Sequence, residues 1–214
     1  MARGPLIAVD GPAASGKGTI ARALARHFDI PHLDTGALYR AAALRALREG
    51  VDPADAARLA RIAAALDLSL LEDPALRDDR TAEAASRISA VPEVRAALLD
   101  FQRAFAGQPG GAVLDGRDIG TVIAPCADAK LFVTAPAEVR ARRRFAELAR
   151  GGAAPDEAAV LADIRARDAR DTGRAEAPLR QAADAVLLDT GDLGIEEAIR
   201  QAVDIVSMRL DRSA

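Results

Sequence analysis

The chain has 214 residues, of which 50% are apolar and 3% aromatic, and its formal net charge is −3. This length suits one α/β domain with a small appended part, and the apolar fraction is ample for a buried core. The acidic balance and the scarcity of rings argue against a protein that binds nucleic acid, which needs a basic surface or aromatic stacking platforms.

A strand, a glycine-rich loop and a helix open the chain. Residues 6–9 form an apolar run typical of a buried strand, and the apolar residues of 19–28 recur at helical spacing. Between them, residues 11–17 match the phosphate-loop pattern G-x4-G-K. The backbone N–H groups of such a loop and the N-terminus of the next helix bind phosphate oxygens. The sequence therefore predicts an ATP site formed by Gly11, Pro12, Ala13, Ala14, Ser15, Gly16, Lys17, Gly18 and Thr19.

The Mg²⁺ that accompanies ATP needs oxygen ligands. Gly18 stands directly after Lys17, where the pattern usually has a Ser or Thr that holds this ion. Either Ser15 or Thr19 could supply the hydroxyl, and Asp115, at the end of an apolar run, could hold the ion directly or through water. The alternative to a phosphate site is a plain glycine turn, and the alternative to a metal ligand at Asp115 is a strand that simply ends in an acid. The strand before the loop and the helix after it are the context that the motif requires.

The middle of the chain is predicted to be helical. A turn with a capping residue at 33–36 leads into a helix that runs to about Arg48 and stops near Gly50. Further helices are predicted over 53–66, 81–90 and 92–105. Residues 67–80 are polar and interrupted by Pro74, which indicates a surface insertion.

The second half alternates strands with helices. Strands are predicted at 112–115, 131–134 and 185–188, and helices at 136–150, 156–172 and 195–210, with a Gly-rich break at Gly151-Gly152. Such alternation is typical of an α/β protein with a parallel sheet and helices on both of its faces.

Three further segments suggest what accepts the phosphate. The guanine motif N-K-x-D of GTPases is absent, whereas arginines are abundant, as a kinase that joins two anionic nucleotides requires. Residues 34–40 (DTGALYR) resemble the D-[ST]-G-x-x-Y-R signature of bacterial cytidylate kinases. Residues 115–121 (DGRDIGT) are similar to their D-G-R-D-x-G-T signature, and 167–174 (RDARDTGR) to their R-D-x-x-D-x-x-R segment. With the phosphate loop, the motifs follow the order and spacing of that family over nearly the whole chain.

This resemblance implies an architecture and an activity. The architecture is a P-loop NTPase-type parallel sheet flanked by helices, with a short NMP-binding insertion and a helical lid. It implies a single P-loop kinase domain over 1–214, with its core at about 1–50 and 107–214, the helical insertion at about 51–106 and the lid at about 143–174. The activity is transfer of the γ-phosphate of ATP to CMP or dCMP. Members of the family often carry a small β-rich insert, for which 67–80 is too short, so base selectivity is less firmly implied than phosphoryl transfer.

The resemblance also implies roles for particular residues. The catalytic set is Lys17, Arg117, Arg143 and Arg174, of which the last two are lid arginines that close over the transferring phosphate. The acceptor phosphate is bound by Thr35, Arg40 and Arg117. The cytosine edge is read by Ser86, Arg95 and Asp118, and the sugar is held by Arg167 and Asp171.

Each role has a structural alternative. Arg167, Asp171 and Arg174 fall on one face of a helix, as a solvated ladder of salt bridges would. Arg140, Arg143 and Arg144 could likewise form a solvated helix face, Thr35 could be only a helix N-cap, and His27 and His32 have the character of surface or packing residues. Two other functions stay open: a kinase of another small acceptor, such as UMP or a metabolite, and a non-enzymatic ATP-binding switch.

Cysteine content and hydropathy bear on the cellular setting. Cys126 is the single cysteine, so neither a disulfide nor a Cys-based metal site is expected. No apolar run approaches the roughly 18 residues of a membrane span, and the apolar stretch near Met1 is too short for a signal peptide. We therefore expect a cytoplasmic monomer that acts on small nucleotides, with neither nucleic acid nor a membrane as partner.

Overall fold

The structure, a computed structural model, describes residues 3–152 and 154–212. The strands are β1 (Leu6–Asp10), β2 (His32–Asp34), β3 (Ala112–Gly116), β4 (Ala129–Thr134) and β5 (Val186–Asp189). The helices are α1 (Lys17–Phe28), α2 (Thr35–Arg48), α3 (Ala56–Ala64), α4 (Asp79–Ile88), α5 (Pro92–Ala106), α6 (Ala137–Arg150), α7 (Glu157–Gly173) and α8 (Ile195–Asp211). Short 3₁₀ helices span Leu68–Glu72 and Pro74–Arg77, and a π-helical turn spans Ile119–Ile123.

The five strands form one sheet in the order β2-β3-β1-β4-β5. β1 pairs in parallel with β3 and with β4, and β4 pairs in parallel with β5. All five residues of β1 are buried, as expected for a central strand of a parallel sheet that is covered on both faces. The predicted α/β fold is therefore confirmed. Because parallel strands end at the same edge of a sheet, Asp10 of β1 and Asp115 of β3 lie at one edge.

Packing divides the chain into two compact units. Residues 1–33 and 108–214 form the first, here called the sheet unit, and residues 34–107 form the second, here called the helical unit. The helical unit begins at Asp34, so it contains α2, which the sequence analysis grouped with the core. The sheet unit has its main core between the sheet, α1 and α8, where Ile7, Leu24, Leu131 and Val206 are among the buried residues.

The insertion predicted at 67–80 belongs to the helical unit and is folded. Its two 3₁₀ helices are capped by Asp67 and Asp73, whose carboxylates accept from backbone N–H groups two residues on, at 2.9 Å. Leu70, Leu71 and Leu76 of this segment pack against Ala41 and Leu44 of α2. The polar residues that marked the segment as surface are thus partly helix caps.

Three local features differ from the prediction. β2 was not predicted, because three residues are too few to show a periodicity. α3 begins at Ala56 rather than at Pro53, since the carboxylate of Asp55 caps it by accepting from the N–H of Arg58 at 2.9 Å. The N-cap of α2 is Asp34, which accepts from Ala37 N at 3.0 Å, so Thr35 is the first helical residue and not the cap.

Candidate functional site

The phosphate loop joins β1 to α1 in the sheet unit. A Cβ atom at Gly11 would lie 2.0 Å from the backbone oxygen of Val133, so only glycine fits there. Gly16 has φ 90° and forms the N-cap of α1, and Ala14 has φ 58°, also in the left-handed region. Such alternating backbone conformations turn successive N–H groups towards one point and create an anion-binding concavity.

The N-terminus of α1 is suited to an anion. No side chain caps this helix, and its first turn has no acidic residue. Lys17, its first residue, extends back over the loop, where its Nζ donates to Pro12 O at 3.2 Å. The positive end of the helix dipole and the ammonium group therefore lie beside the same loop.

Oxygen atoms of the kind that Mg²⁺ prefers are present around the loop. Ser15 is completely buried, and its Oγ makes no hydrogen bond with any residue that the structure describes. Asp115 is buried at the end of β3, and its Oδ2 lies 3.7 Å from the place of a Cβ at Gly18. Thr19 is exposed on α1. Within 3–152 and 154–212, no group of three or more His, Cys, Asp or Glu side chains could hold a metal ion. A carboxylate and a hydroxyl fit an ion that is held mainly by phosphates and water.

His32 contacts the predicted metal-binding acid. Its Nε2 lies 2.7 Å from Asp115 Oδ1, across the neighbouring strands β2 and β3. From the sequence, His32 was expected to be a surface or packing residue. The contact with Asp115 could not be predicted because it depends on β2, whose three residues are too few to show a periodicity.

A charged cluster lies at the C-terminal end of α7 in the sheet unit. Arg117, which follows β3, donates from Nε to Oδ2 of the buried Asp171 at 2.7 Å. Burial acts to raise the pKa of Asp171, but the charge and hydrogen bond of Arg117, with the charges of Arg174 and Lys17, hold that pKa below its ordinary value. Arg117 therefore contacts Asp171, and the charges of two further predicted catalytic residues, Lys17 and Arg174, act on the same carboxylate.

Arg167 extends this cluster along α7. Burial lowers the pKa of its guanidinium, and the nearby charges of Arg117 and Arg144 lower it further, while Asp163, whose carboxylate lies 3.7 Å away, opposes them. Its side chain is only 16% exposed. A fully solvated ladder was the alternative for this face, but Asp171 is buried and Arg167 is partly buried, which argues against it. Such a concentration of cations is suited to phosphate groups.

The arginines of α6 have distinct environments. Arg143 donates from NH1 to Thr190 Oγ1 at 2.9 Å, and that hydroxyl lies 2.9 Å from the carbonyl oxygen of Ser15 in the phosphate loop. Arg140 is buried and bonded to Asp168 and to Ala13 O, so the solvated face suggested for this helix is wrong at Arg140.

Asp10 is a buried acid that the sequence analysis did not single out. Its carboxylate accepts from Ile119 N at 2.8 Å and from Gly120 N at 2.7 Å, both in the π-helical turn that follows Arg117 and Asp118. Burial raises the pKa of Asp10 to about 6, and the charge of Asp118 adds to the rise, while the two backbone hydrogen bonds and Arg117 oppose it. Its place at the end of a strand, directly before Gly11, is the same signal that drew attention to Asp115.

The remaining predicted acceptor residues belong to the helical unit. Thr35 is buried at the start of α2, and Arg40 donates to Asp34 Oδ2 at 2.7 Å. Arg95 is buried on α5, and its NH1 lies 3.4 Å from the carbonyl oxygen of Ser89, whose hydroxyl donates to Ser86 O at 2.9 Å. Ser86 and Arg95 are therefore close together in this unit. The predicted acceptor residues Arg117, Asp118, Arg167 and Asp171 lie in the sheet unit.

Comparison with known proteins identifies close relatives. The family model described as cytidylate kinase matches residues 7–208. A cytidylate kinase of Rhodopseudomonas palustris (strain BisA53) is 57% identical over 201 residues, which cover 94% of this chain and 95% of that protein. One of Methylocella silvestris is 59% identical over 208 residues, which cover 96% and 95%. Among solved structures, a gluconokinase from Sinorhizobium meliloti 1021 matches with a TM-score of 0.55 and 16% identity over 100% of this chain and 97% of that one, a likeness of fold alone.

Proposed function

The chain belongs to the cytidylate kinase family, and on this basis we propose that it transfers the γ-phosphate of ATP to CMP or dCMP, giving CDP or dCDP. The observation that carries the proposal is the cluster beside the phosphate loop, where Arg117 binds Asp171 and the charges of Lys17 and Arg174 lower the pKa of the same carboxyl group. A phosphate loop and a concentration of partly buried arginines next to it suit a reaction between two anions.

The proposed chemistry is direct transfer. An oxygen of the acceptor phosphate attacks the γ-phosphorus of ATP, the bond from that phosphorus to the β–γ bridging oxygen breaks, and ADP leaves. The attacking oxygen is already ionised at neutral pH, so no general base is required. The protein contributes alignment and neutralisation of charge, with Lys17, Arg117, Arg143 and Arg174 as the catalytic cations.

The acceptor is proposed to be recognised by three groups of residues, one for each of its parts. Thr35, Arg40 and Arg117 bind its phosphate, and Arg167 and Asp171 bind its sugar. Ser86, Arg95 and Asp118 read the cytosine, because a carboxylate accepts from the amino group of this base and a cationic donor suits its carbonyl oxygen. The proximity of Ser86 and Arg95 within the helical unit supports the pairing of these two residues in that role.

Mg²⁺ is proposed to accompany ATP. The buried hydroxyl of Ser15 and the carboxylate of Asp115 fit as ligands, directly or through water, with Thr19 in the first turn of α1 as the other candidate hydroxyl. When bound, the ion neutralises charge on the β- and γ-phosphates. His32 holds one oxygen of Asp115 and so orients the carboxylate.

The proposed organisation is a single P-loop kinase domain in which 143–174 acts as a lid that keeps water from the γ-phosphate, with Gly151-Gly152 as its flexible point. In the part of the chain that the structure describes, no helix is both long and apolar enough to span a membrane. We expect a cytoplasmic monomer whose partners are small nucleotides.

The proposal is tested by measuring ADP release from ATP and Mg²⁺ with CMP, dCMP, UMP, AMP, GMP and shikimate offered separately. Turnover with CMP and dCMP, weak turnover with UMP and none with the purine nucleotides is the expected result. Turnover with another acceptor alone would retain the kinase and refute the roles of Ser86, Arg95 and Asp118. No turnover by protein that binds ATP would favour the non-enzymatic switch. Arg200→Ala, at an exposed ion pair with Glu197 on α8, is the matched control for any loss of an active-site cation.

A further inference from the structure

One buried arginine connects the phosphate loop with α7. Arg140, on α6, is only 5% exposed. Its Nε donates to Ala135 O at 2.8 Å, and its NH1 lies 3.3 Å from Ala13 O. The same guanidinium binds both oxygens of Asp168 on α7, at 3.0 and 2.6 Å. A bidentate pair of this kind fixes direction as well as distance, because both groups are planar.

The contact with Ala13 bears on how the loop presents its N–H groups. The peptide bonds of the described residues are trans, so the carbonyl of Ala13 and the N–H of Ala14 point in opposite directions. A carbonyl held towards α6 therefore turns the N–H of Ala14 away from α6. Ala14 is in the left-handed region, which is unfavourable for a residue with a Cβ and persists only where its surroundings impose it.

Apolar packing supports the same part of the loop. The side chain of Ala13 is buried in a small cluster with Ala141 of α6 and with Val160 and Ile164 of α7. The pair of helices α6 and α7 thus lies against the outer side of the loop, and Arg140 supplies the polar contact in that interface.

At its other end, the ion pair acts on the helix that carries acceptor-side residues. Asp168 follows Arg167 directly and lies one helical turn before Asp171, which binds Arg117 at 2.7 Å. The donor loop and this face of α7 are therefore held by the same guanidinium. From these contacts we infer that Arg140 and Asp168 are positioning residues, which set the γ-phosphate in line with the acceptor phosphate without touching either nucleotide.

The chain offers a matched control. Glu138 and Arg165 form a second ion pair between α6 and α7, at 2.7 Å, with side chains that are 56% and 62% exposed. For neither residue does the structure give a contact with the phosphate loop. Glu138→Gln and Asp168→Asn both remove one carboxylate from an ion pair between the same two helices. The pairs differ in the link to the loop and in burial, and thermal unfolding reports the effect of burial on stability.

The test compares kcat and KM for ATP and for CMP in the wild type and both variants, with thermal unfolding to establish that each is folded. Asp168→Asn is expected to lower kcat about 10- to 100-fold while either KM changes less than about threefold, since a small misplacement of reacting groups acts on the chemical step. Glu138→Gln is expected to leave all three constants within about twofold of the wild type, as for an exposed ion pair. Equal kcat values for the two variants would overturn the inference, because a purely structural ion pair lowers the melting temperature without changing kcat of the folded enzyme.

The inference rests on the proposed function, and the experiment separates the two. If the wild type does not phosphorylate CMP, the proposed function is wrong and the inference falls with it. If the wild type does so and Asp168→Asn keeps its kcat, only the inference is wrong. Should Asp168→Asn fail to fold, Asp168→Glu decides the question, because it keeps the charge and moves it by one methylene. A lower kcat at unchanged KM then supports the inference, and an unchanged kcat contradicts it.

Discussion

The carboxyl group of Asp10 should make the stability of this protein depend on pH in an uncommon direction. An Asp that is salt-bridged in the folded state has a lowered pKa, and it stabilises the fold at pH values above that pKa. Asp10 instead has its pKa raised from 3.8 to about 6, chiefly by burial. Between these values the folded protein binds more protons than the unfolded chain, so ionisation of Asp10 costs stability as pH rises. The full cost above about pH 6 is about 3 kcal/mol, since each pKa unit is worth about 1.4 kcal/mol.

Asp10→Asn isolates this effect because asparagine does not titrate. The amide replaces one accepting oxygen by a donor that faces Ile119 N or Gly120 N, a loss that is independent of pH. From about pH 5 to about pH 7.5, the wild type should therefore lose about 1–1.5 kcal/mol of unfolding free energy relative to the variant, by the same linkage. Urea unfolding of both proteins at the two pH values, followed by circular dichroism, gives the difference.

The opposite trend would refute this reasoning. If the wild type gained stability relative to Asp10→Asn as pH rose, the two backbone N–H donors and Arg117 would outweigh burial, and the folded-state pKa of Asp10 would lie below 3.8. A difference that is the same at pH 5 and pH 7.5 would also contradict it, because the folded-state pKa of Asp10 would then lie well below 5.

Three further predictions concern the site. Lys17→Ala should leave a folded protein whose kcat is about 100- to 1,000-fold lower, because a preorganised charge at the transferring group is lost, and near-normal turnover would disprove the role of the loop. Asp118→Ala should relax the choice between CMP and UMP more than it slows turnover with UMP, so equal losses for both acceptors would count against base reading. Gly11→Ala should abolish ATP binding, measured by calorimetry, because its Cβ would lie 2.0 Å from Val133 O. In Gly18→Ala the new Cβ meets no atom nearer than 3.5 Å, so this variant should bind ATP nearly as well as the wild type. Similar affinities for the two variants would contradict the steric argument.

The order of strands and helices could be predicted from the sequence because it is encoded locally. The apolar run at 6–9 and the helical spacing at 19–28 each lie within a few residues, and so does the pattern of the phosphate loop. The short strand β2 was missed for the same reason, since three residues are too few to form a pattern. The polar segment 67–80 was recognised as an insertion, but its 3₁₀ helices depend on packing against α2.

The partners of the charged side chains were decided by the tertiary structure alone. Arg117 binds Asp171 across 54 positions of sequence, and His32 binds Asp115 across 83. Local sequence shows that α6 and α7 are rich in arginine, but it does not distinguish the buried Arg140 from the exposed Arg165. A guanidinium lies at the end of a long flexible side chain, so which carboxylate it reaches, and whether water is excluded there, depends on how the helices pack against the loop.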